Sequence, residues 1–285
     1  MTTYGVTGAT GNLGRLALDA LLQLVSPGDI VALARNPAAL ADHAAKGVTV
    51  RAADYDAPEG LPAALAGIDR LLLISASTLG ERPRQHGNVI DAAKQAGVGF
   101  IAYTSILRAD DTPIRLGEEH KASEEKLAAS GIPHALIRNG WYNENYVLNL
   151  PYQVETGVIT GAQGQGRISS AARADLAAGA VRVLIDGKAG DVFNLAGDTS
   201  WTMADFAAEL SSQSGKPVRY EDMSEADFAA SLVAAGLPAH YAPVFANSAF
   251  ATSQGALEDN SDTLGKLIGR PTTPIAETIR QALQG

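Results

Sequence analysis

Three equally spaced glycines near the start of the chain constrain its fold more than any other feature. They lie in GVTGATGNLGR, residues 5–15, where Gly8, Gly11 and Gly14 follow a strand-like run and precede a helical pattern. The first permits a tight turn, the second lets the backbone approach a pyrophosphate, and the third allows close packing of helix on strand. The N–H groups that open such a helix attract phosphates. We therefore predict a dinucleotide site, although a turn without a ligand would give the same spacing.

The end of the second predicted strand indicates which dinucleotide to expect. An NAD site carries Asp or Glu there, about twenty residues beyond the last glycine, to bind the ribose 2′-hydroxyl. This chain has Arg35 instead, in the run LARN. A guanidinium matches a 2′-phosphate in charge and geometry, so we expect NADPH. The alternative is an exposed surface arginine without a ligand.

The first half of the chain alternates strand-like and helical runs. The strand-like runs cover residues 3–8, 29–35, 48–54, 70–75, 99–105 and 134–139, and alanine- and leucine-rich segments with helical spacing separate them. This alternation is typical of βαβ units around a parallel sheet that is covered on both faces. We predict an α/β protein with a Rossmann-like doubly wound parallel sheet.

The pattern changes after residue 146 and indicates a smaller C-terminal α+β lobe over the cofactor cleft. We predict a dinucleotide-binding domain over 1–150, to which residues around 191–198 return, and a lobe over 151–285. The glycine-rich run 157–170 is predicted to be a hairpin or a loop at the sheet edge. Thr202 and Ser224 are predicted N-caps of helices.

Further cofactor contacts are predicted at the carboxyl ends of the strands, where ligands of open α/β sheets bind. Asp54 is a candidate for the adenine amino group, with capping of a turn as the equal alternative. The remaining candidates are small or polar residues of two loops: Thr10, Asn12 and Leu13 for the phosphates, and Ser75, Ala76 and Ser77 for the ribose.

Composition excludes several function classes. The net charge of −9 opposes binding to a nucleic acid, and the chain has no cysteine for a disulfide, a thiolate metal site or a cysteine nucleophile. No spacing of His, Asp and Glu indicates a metal site. We see neither a signal-peptide pattern nor an apolar run of membrane-spanning length, and so expect a cytoplasmic protein without a membrane partner.

The chain lacks the Tyr-x-x-x-Lys pair with which short-chain dehydrogenases protonate an alcohol oxygen. Lys121 falls at the lysine position, but Gly117 stands four residues before it, where the tyrosine belongs. Reduction of a carbonyl to an alcohol by that mechanism is therefore not expected. Transfer of a hydride to an acceptor whose reduced oxygen is weakly acidic tolerates the loss, because that oxygen can take its proton from water. Such an enzyme mainly holds two flat rings together.

An aromatic and amide-rich run, RNGWYNENY at 138–146, offers a pocket for a flat acceptor. Tyr142 is the preferred ring, and Asn143 is the candidate hydrogen-bonding group for an oxygen of the acceptor. For Trp141 and Tyr146 the alternative is ordinary packing in the core or lobe. His120 and Lys121 are either electrostatic helpers or part of a solvated helix face.

The remaining charged side chains of the helical stretches are predicted to lie on the surface. His86 is interpreted as a helix-surface residue, with a functional role as the alternative. Ordinary helix-face charges are predicted for Glu118, Glu119, Glu124 and Glu125.

The chain resembles the NmrA-like atypical short-chain dehydrogenases/reductases, and among them the bacterial NAD(P)H:quinone oxidoreductases of type 2. The resemblance runs nearly end to end, and its most specific marks are RNGWYNENY (138–146) and LIGRPTTP (267–274). It implies NADPH bound at the glycine loop, at Arg35 and along Ser75–Ser77. It also implies that a segment after the sixth strand packs beside the nicotinamide and the acceptor: Asn139, Gly140, Trp141, Tyr142, Asn143 and Glu144.

Two alternatives to a quinone reductase stay open. One is an NADP(H)-sensing regulator that signals through a protein partner without turnover, as some NmrA-like proteins do. The other is a reductase of a different acceptor, such as an enone, an azo compound or a phenylpropanoid ether. The sequence leaves the physiological quinone, any proton donor, the number of electrons per step and the oligomeric state undetermined, with a homodimer as one alternative.

Overall fold

The computed structural model describes residues 1–284, which form two compact units. The first unit comprises Met1–Ala109, Glu119–Asn139 and Arg173–Leu195, and the second comprises Asp110–Glu118, Gly140–Ala172 and Ala196–Gly285. The domain boundary at residue 150 stays a prediction.

The first unit contains a seven-stranded sheet in which every neighbouring pair is parallel. Its strands are β1 (Tyr4–Val6), β2 (Ile30–Ala34), β3 (Thr49–Ala52), β4 (Arg70–Leu73), β5 (Phe100–Ile106), β6 (His134–Asn139) and β8 (Val192–Leu195), while β7 (Val158–Gly161) and β9 (Arg219–Asp222) belong to the second unit. The order β3-β2-β1-β4-β5-β6-β8 reverses direction between β1 and β4, where ligands of doubly wound sheets bind. The predicted Rossmann-like fold is confirmed.

Helices flank the strands of the first unit, and further helices build most of the second. They are α1 (Asn12–Leu22), α2 (Ala41–Ala45), α3 (Leu61–Leu65), α4 (Arg82–Ala96), α5 (Leu116–Ser130), α6 (Leu150–Thr156), α7 (Arg173–Asp186), α8 (Met203–Ser214), α9 (Glu225–Ala234), α10 (Ala242–Ser253), α11 (Thr263–Ile268) and α12 (Ile275–Gln284). In the first unit, apolar side chains of the strands pack against α3 and α4, with Leu71, Leu73 and Ile101 meeting Leu61 and Val89 in one buried cluster. The apolar periodicity of the sequence predicts this core.

In the second unit, β7 and β9 form a separate two-stranded parallel sheet. The prediction of a hairpin or edge loop over residues 157–170 is therefore wrong, because the partner of this strand lies about sixty residues further along the chain. The predicted N-caps are confirmed. The Thr202 hydroxyl accepts a hydrogen bond from the Asp205 N–H, and the Ser224 hydroxyl accepts one from the Asp227 N–H, both at 3.1 Å.

The turn after β1 brings backbone against backbone. Gly8 has a φ of +58°, in the left-handed region that favours glycine. A Cβ atom on Gly14 would lie 2.3 Å from the Gly8 carbonyl oxygen and 2.8 Å from Ala9 Cα. Gly14 therefore lets α1 pack directly on the end of β1, as its position in the motif predicts.

A buried polar cluster fills the space between β5, α4 and α5. The Tyr103 hydroxyl lies 3.0 Å from His120 Nδ1, and His86 Nδ1 lies 2.8 Å from the Ser123 hydroxyl. Both histidines are buried, and burial together with the nearby charge of Arg82 lowers the pKa of each to about 3. The interpretation of His86 as a helix-surface residue is wrong. His120 is also buried, so a solvated helix face is wrong for it, and its role as an electrostatic helper stays a prediction.

Substituting Gly14 tests the packing of α1 on β1. We expect Gly14→Ala to lower the free energy of unfolding by about 1–3 kcal/mol, because the methyl group meets backbone atoms that cannot rotate away. Gly87→Ala is the matched control, since its Cβ would lie 3.8 Å from Lys126 Cε, at ordinary contact distance. The control should be neutral or gain up to about 1 kcal/mol from helix propensity. Equal effects in urea denaturation would contradict this packing.

The two buried histidines predict a loss of stability on mild acidification. Both have a folded pKa of about 3, below the ordinary value of 6.5, so below pH 6.5 the unfolded chain binds protons that the folded chain excludes. Stability is therefore fully present above pH 6.5 and falls as the pH drops towards 3. The slope approaches about 1.4 kcal/mol per pH unit for each histidine. His120→Gln should make the slope between pH 6.5 and 5 shallower in denaturation curves; an unchanged slope would contradict the assignment.

Candidate functional site

The glycine turn presents the start of α1 at the carboxyl end of β1. Gly11 is the N-cap residue and makes no side-chain capping bond, and helical bonding begins with the Arg15 N–H donating to the Gly11 carbonyl at 2.9 Å. The N–H groups of Asn12, Leu13 and Gly14 have no acceptor within the helix. Gly11, Asn12 and the half-buried Thr10 are accessible. Such backbone groups attract phosphates, and the binding of a phosphate here stays a prediction.

Polar side chains tie this turn to the neighbouring strand β4. The Thr7 hydroxyl oxygen accepts a hydrogen bond from the Ile74 N–H at 3.0 Å, and the Tyr55 hydroxyl lies 2.5 Å from the same oxygen. Burial raises the pKa of Tyr55, so its hydroxyl stays protonated. The Asp54 carboxylate accepts from the Asp56 N–H at 3.0 Å, which is the turn-capping geometry that the sequence offers as the alternative. Its contact with adenine stays a prediction.

Arg35 leaves the end of β2 as an exposed side chain. Its charge reaches Asp56, whose pKa is lowered first by hydrogen bonds from Arg84 and Gln85 and to a smaller extent by Arg35. Arg84 contacts Asp56 at 2.5 Å. Because Arg84 and Gln85 already bind this carboxylate, the Arg35 guanidinium is accessible for an external anion.

The β4–α4 segment, residues 75–80, is held through its backbone. The Ser75 N–H donates to the Thr104 hydroxyl at 2.9 Å, and the Ala76 N–H donates to His86 Nε2 at 2.9 Å. The Arg82 Nε group donates to the Ala76 carbonyl at 2.6 Å. Ser75 and Ala76 are half-buried and Ser77 is exposed. Their predicted contact with the cofactor is untested by this geometry, but the sequence missed the side chains that hold them.

A buried ion pair stands near the end of β6. Arg138 binds Glu124 through two bonds, Nε to Oε1 at 3.0 Å and Nη2 to Oε2 at 2.6 Å. The Ser105 hydroxyl donates to the same carboxylate at 2.6 Å. All three side chains are buried, so the prediction of Glu124 as an ordinary helix-face charge is wrong. The serine at the end of β5 is thus tied to a carboxylate and not to a Tyr–Lys pair.

Asn139, the last residue of β6, is a buried amide that the rest of the protein does not satisfy. Its side chain is 5% exposed. Within residues 1–284, neither its Nδ2 nor its Oδ1 atom has a hydrogen-bond partner. Buried amides normally bond, so this one fits a ligand that carries both a donor and an acceptor.

Gly117 and Lys121, which stand where the Tyr-x-x-x-Lys pair would be, differ in their exposure to solvent. Lys121 is exposed. Gly117 is buried, and a Cβ atom there would lie 2.2 Å from the Thr112 Cγ2 methyl group. A tyrosine at residue 117 would therefore require Thr112 to move, in addition to a change of sequence.

In the second unit, the segment 140–144 is anchored by Asn143. Its side-chain Nδ2 group donates to the Thr273 carbonyl at 3.1 Å and to the Thr278 hydroxyl at 3.0 Å, and its Oδ1 accepts from the Ser170 hydroxyl at 2.5 Å. The amide is wholly buried, so a bond to a quinone oxygen would have to replace one of these. That role stays a prediction.

Trp141 and Tyr142 directly precede Asn143, and both are half-buried. The Asn143 N–H donates to the Ala171 carbonyl at 2.9 Å, and the Ala171 N–H donates to the Trp141 carbonyl at 3.0 Å. This short bridge fixes the backbone on both sides of Tyr142. Tyr146 instead packs edge-on against Trp201, with ring centroids 4.7 Å apart, which is the packing alternative given for it.

The described residues contain neither a metal-binding cluster nor a membrane-spanning helix. Among residues 1–284, no group of three or more His, Asp and Glu side chains could hold a metal ion. Over the same residues, every helix is too short or too polar to span a membrane.

Known proteins of similar sequence and structure are named as oxidoreductases or reductases. The chain is 52% identical over 275 residues to quinone oxidoreductase 2 of Escherichia coli (strain K12), covering 96% of each chain. A crystal structure of an NADPH-dependent quinone oxidoreductase from Escherichia coli complexed with NADPH has 51% identity and a TM-score of 0.96, over 99% of this chain and 100% of that one. The Citrobacter sp. triphenylmethane reductase complexed with NADP(H) has 38% identity and a TM-score of 0.93, over 98% and 100%.

A family comparison agrees with these relatives. The NAD(P)H-binding family matches residues 8–186, which include the glycine turn, Arg35 and the whole segment 139–144. Together with the Escherichia coli relative, this match confirms the resemblance drawn from the sequence motifs, and the chain belongs to the NAD(P)H-binding family.

Proposed function

We propose that this protein is an NADPH-dependent quinone oxidoreductase that transfers a hydride from the nicotinamide ring to a small quinone. The observation that carries the proposal is the glycine turn, where backbone N–H groups at the start of α1 face a space that no capping side chain takes. The half-identical relative named as a quinone oxidoreductase supports the choice of acceptor.

The residues of the first unit fit NADPH. The glycine turn binds the pyrophosphate through the N–H groups of Asn12, Leu13 and Gly14, with Thr10 beside them. Arg35 binds the 2′-phosphate as a dianion, because its guanidinium is exposed and permanently charged. Asn139 offers a donor and an acceptor from one buried amide, which matches a carboxamide group. When bound, NADPH supplies the hydride.

The residues of the second unit bind and orient the acceptor. Tyr142 stacks on the flat ring, and Asn143 fixes the backbone that carries Tyr142. With no tyrosine at residue 117, water protonates the product oxygen. Lys121 is exposed and supplies at most positive charge towards a developing anion. Catalysis in this proposal comes mainly from positioning the acceptor for hydride transfer, and not from a proton-donating tyrosine.

Of the two alternative functions, reduction of another acceptor has support from a relative and the sensor role has none. The Citrobacter sp. relative is named for the reduction of triphenylmethane compounds, so an acceptor of that class is the second candidate. The sensor alternative gains no support, because the similar proteins above are named for reactions that they perform. We also propose a cytoplasmic location and no nucleic-acid partner; the net charge of −9 supports the latter.

Turnover with a small benzoquinone tests this function. We expect the protein to accelerate NADPH oxidation strongly over the enzyme-free rate when 1,4-benzoquinone is present, because binding orients the acceptor for hydride transfer. Tyr142→Phe keeps the ring and should retain most of kcat/KM. Tyr142→Ala should lose about tenfold or more, chiefly through a higher KM for the quinone.

The outcomes separate the candidates. Saturable NADPH binding without any acceleration would contradict the enzyme and favour the sensor. Acceleration only with a triphenylmethane dye would keep the reductase and replace the acceptor.

A further inference from the structure

The β4–α4 segment, residues 75–80, is fixed by two buried side chains of α4 and one half-buried side chain of α5. His86 and Arg82 of α4 hold Ala76 from both sides, His86 Nε2 accepting from its N–H and Arg82 Nε donating to its carbonyl, at 2.9 and 2.6 Å. The Gly80 N–H donates to Glu119 Oε1 of α5 at 3.0 Å. Arg82 and Glu119 are themselves an ion pair at 3.2 Å. The side chains of His86, Arg82 and Glu119 thus determine the path of this segment.

The hydrogen-bond chain behind His86 fixes its tautomer. The Ser123 hydroxyl donates its proton to the Glu119 backbone carbonyl at 2.9 Å, so its oxygen is left to accept from His86 Nδ1 at 2.8 Å. With the proton on Nδ1, Nε2 carries the lone pair that the Ala76 N–H needs. The low pKa of His86, about 3, keeps the ring in this neutral form.

We propose that His86 is a positioning residue that preorganises Ser75–Ser77 for the dinucleotide. The inference rests on the proposed function, in which this segment lines the cofactor. Without the imidazole acceptor, the buried N–H of Ala76 loses its partner and the segment gains other conformations. Binding would then have to order the segment again, which weakens affinity. His86 therefore acts on cofactor affinity and leaves the chemical step alone.

His120 provides a matched comparison within the same cluster. It is buried like His86 and contacts the same tyrosine, with the Tyr103 hydroxyl 3.0 Å from its Nδ1. Its bond is to Tyr103, whereas the bond of His86 Nε2 is to the backbone of the β4–α4 segment. A merely structural role predicts similar effects from both histidines, and a positioning role does not.

The test compares His86→Leu, His86→Gln and His120→Leu with the wild-type protein. NADPH affinity is measured by calorimetry, and kcat at saturating NADPH by benzoquinone turnover. We expect His86→Leu to raise the Kd for NADPH about tenfold, with kcat within about twofold of wild type. His86→Gln should recover most of the affinity, because its amide oxygen can accept from the Ala76 N–H. His120→Leu should lose thermal stability comparably and keep the wild-type Kd.

Hydrogen exchange at the Ala76 amide gives a readout that is independent of activity. We expect faster exchange in His86→Leu and near wild-type exchange in His86→Gln and His120→Leu. If His86→Leu does not fold, Glu119→Ala against Glu119→Gln repeats the comparison at Gly80, since glutamine keeps the acceptor and alanine removes it. Glu119 is half-buried and tolerates the change better.

The measurements distinguish failure of the His86 role from failure of the proposed function. Equal NADPH affinity in wild type and His86→Leu, or equal losses in the two leucine variants, would overturn the role of His86 and leave the proposed function standing. A wild-type protein that does not bind NADPH would overturn the proposed function, and the role of His86 with it.

Discussion

The rest of the structure depends on the close approach of Gly14 to the carbonyl oxygen of Gly8. An added Cβ would lie 2.3 Å from that oxygen, so only glycine lets α1 start directly on the end of β1. This contact places the first-turn N–H groups at the carboxyl edge of the sheet, beside the reversal of strand order between β1 and β4. The electrostatics of a helix start favour a phosphate at this position, which is the basis of the proposed cofactor site.

Each unit holds its candidate binding segment by the same physical means. The segments 75–80 and 140–144 lie outside the strands of the two sheets. Buried polar side chains fix them instead: His86 binds Ala76 in the first unit, and Asn143 links its own segment to Ser170 in the second. This arrangement leaves the accessible side chains beside them for ligand contact, and it makes the supporting residues as important as the contacting ones.

The sequence predicts the fold well because the strands and helices follow apolar periodicity, and it predicts the glycine turn because steric needs select glycine. It fails where a polar residue lies on a buried helix face. His86 precedes the buried Val89, Ile90 and Ala93 at helical spacing, so this apolar periodicity predicts that His86 is buried. The charge of Glu124 indicates a surface position. Its burial depends on the ion pair with Arg138 of β6, and such a pairing follows only from the tertiary structure. Local sequence patterns also do not predict the parallel pairing of β7 with the distant β9.

Calorimetric titration with NADPH and with NADH tests the central claim most directly. If the backbone N–H groups after β1 bind the pyrophosphate and Arg35 binds the 2′-phosphate, NADPH should bind saturably with one site per chain. NADH should then bind at least about tenfold more weakly, because it lacks the group that Arg35 recognises. Folded protein that gives no saturable heat with NADPH would contradict the phosphate site. Equal affinities for the two dinucleotides would contradict the role of Arg35.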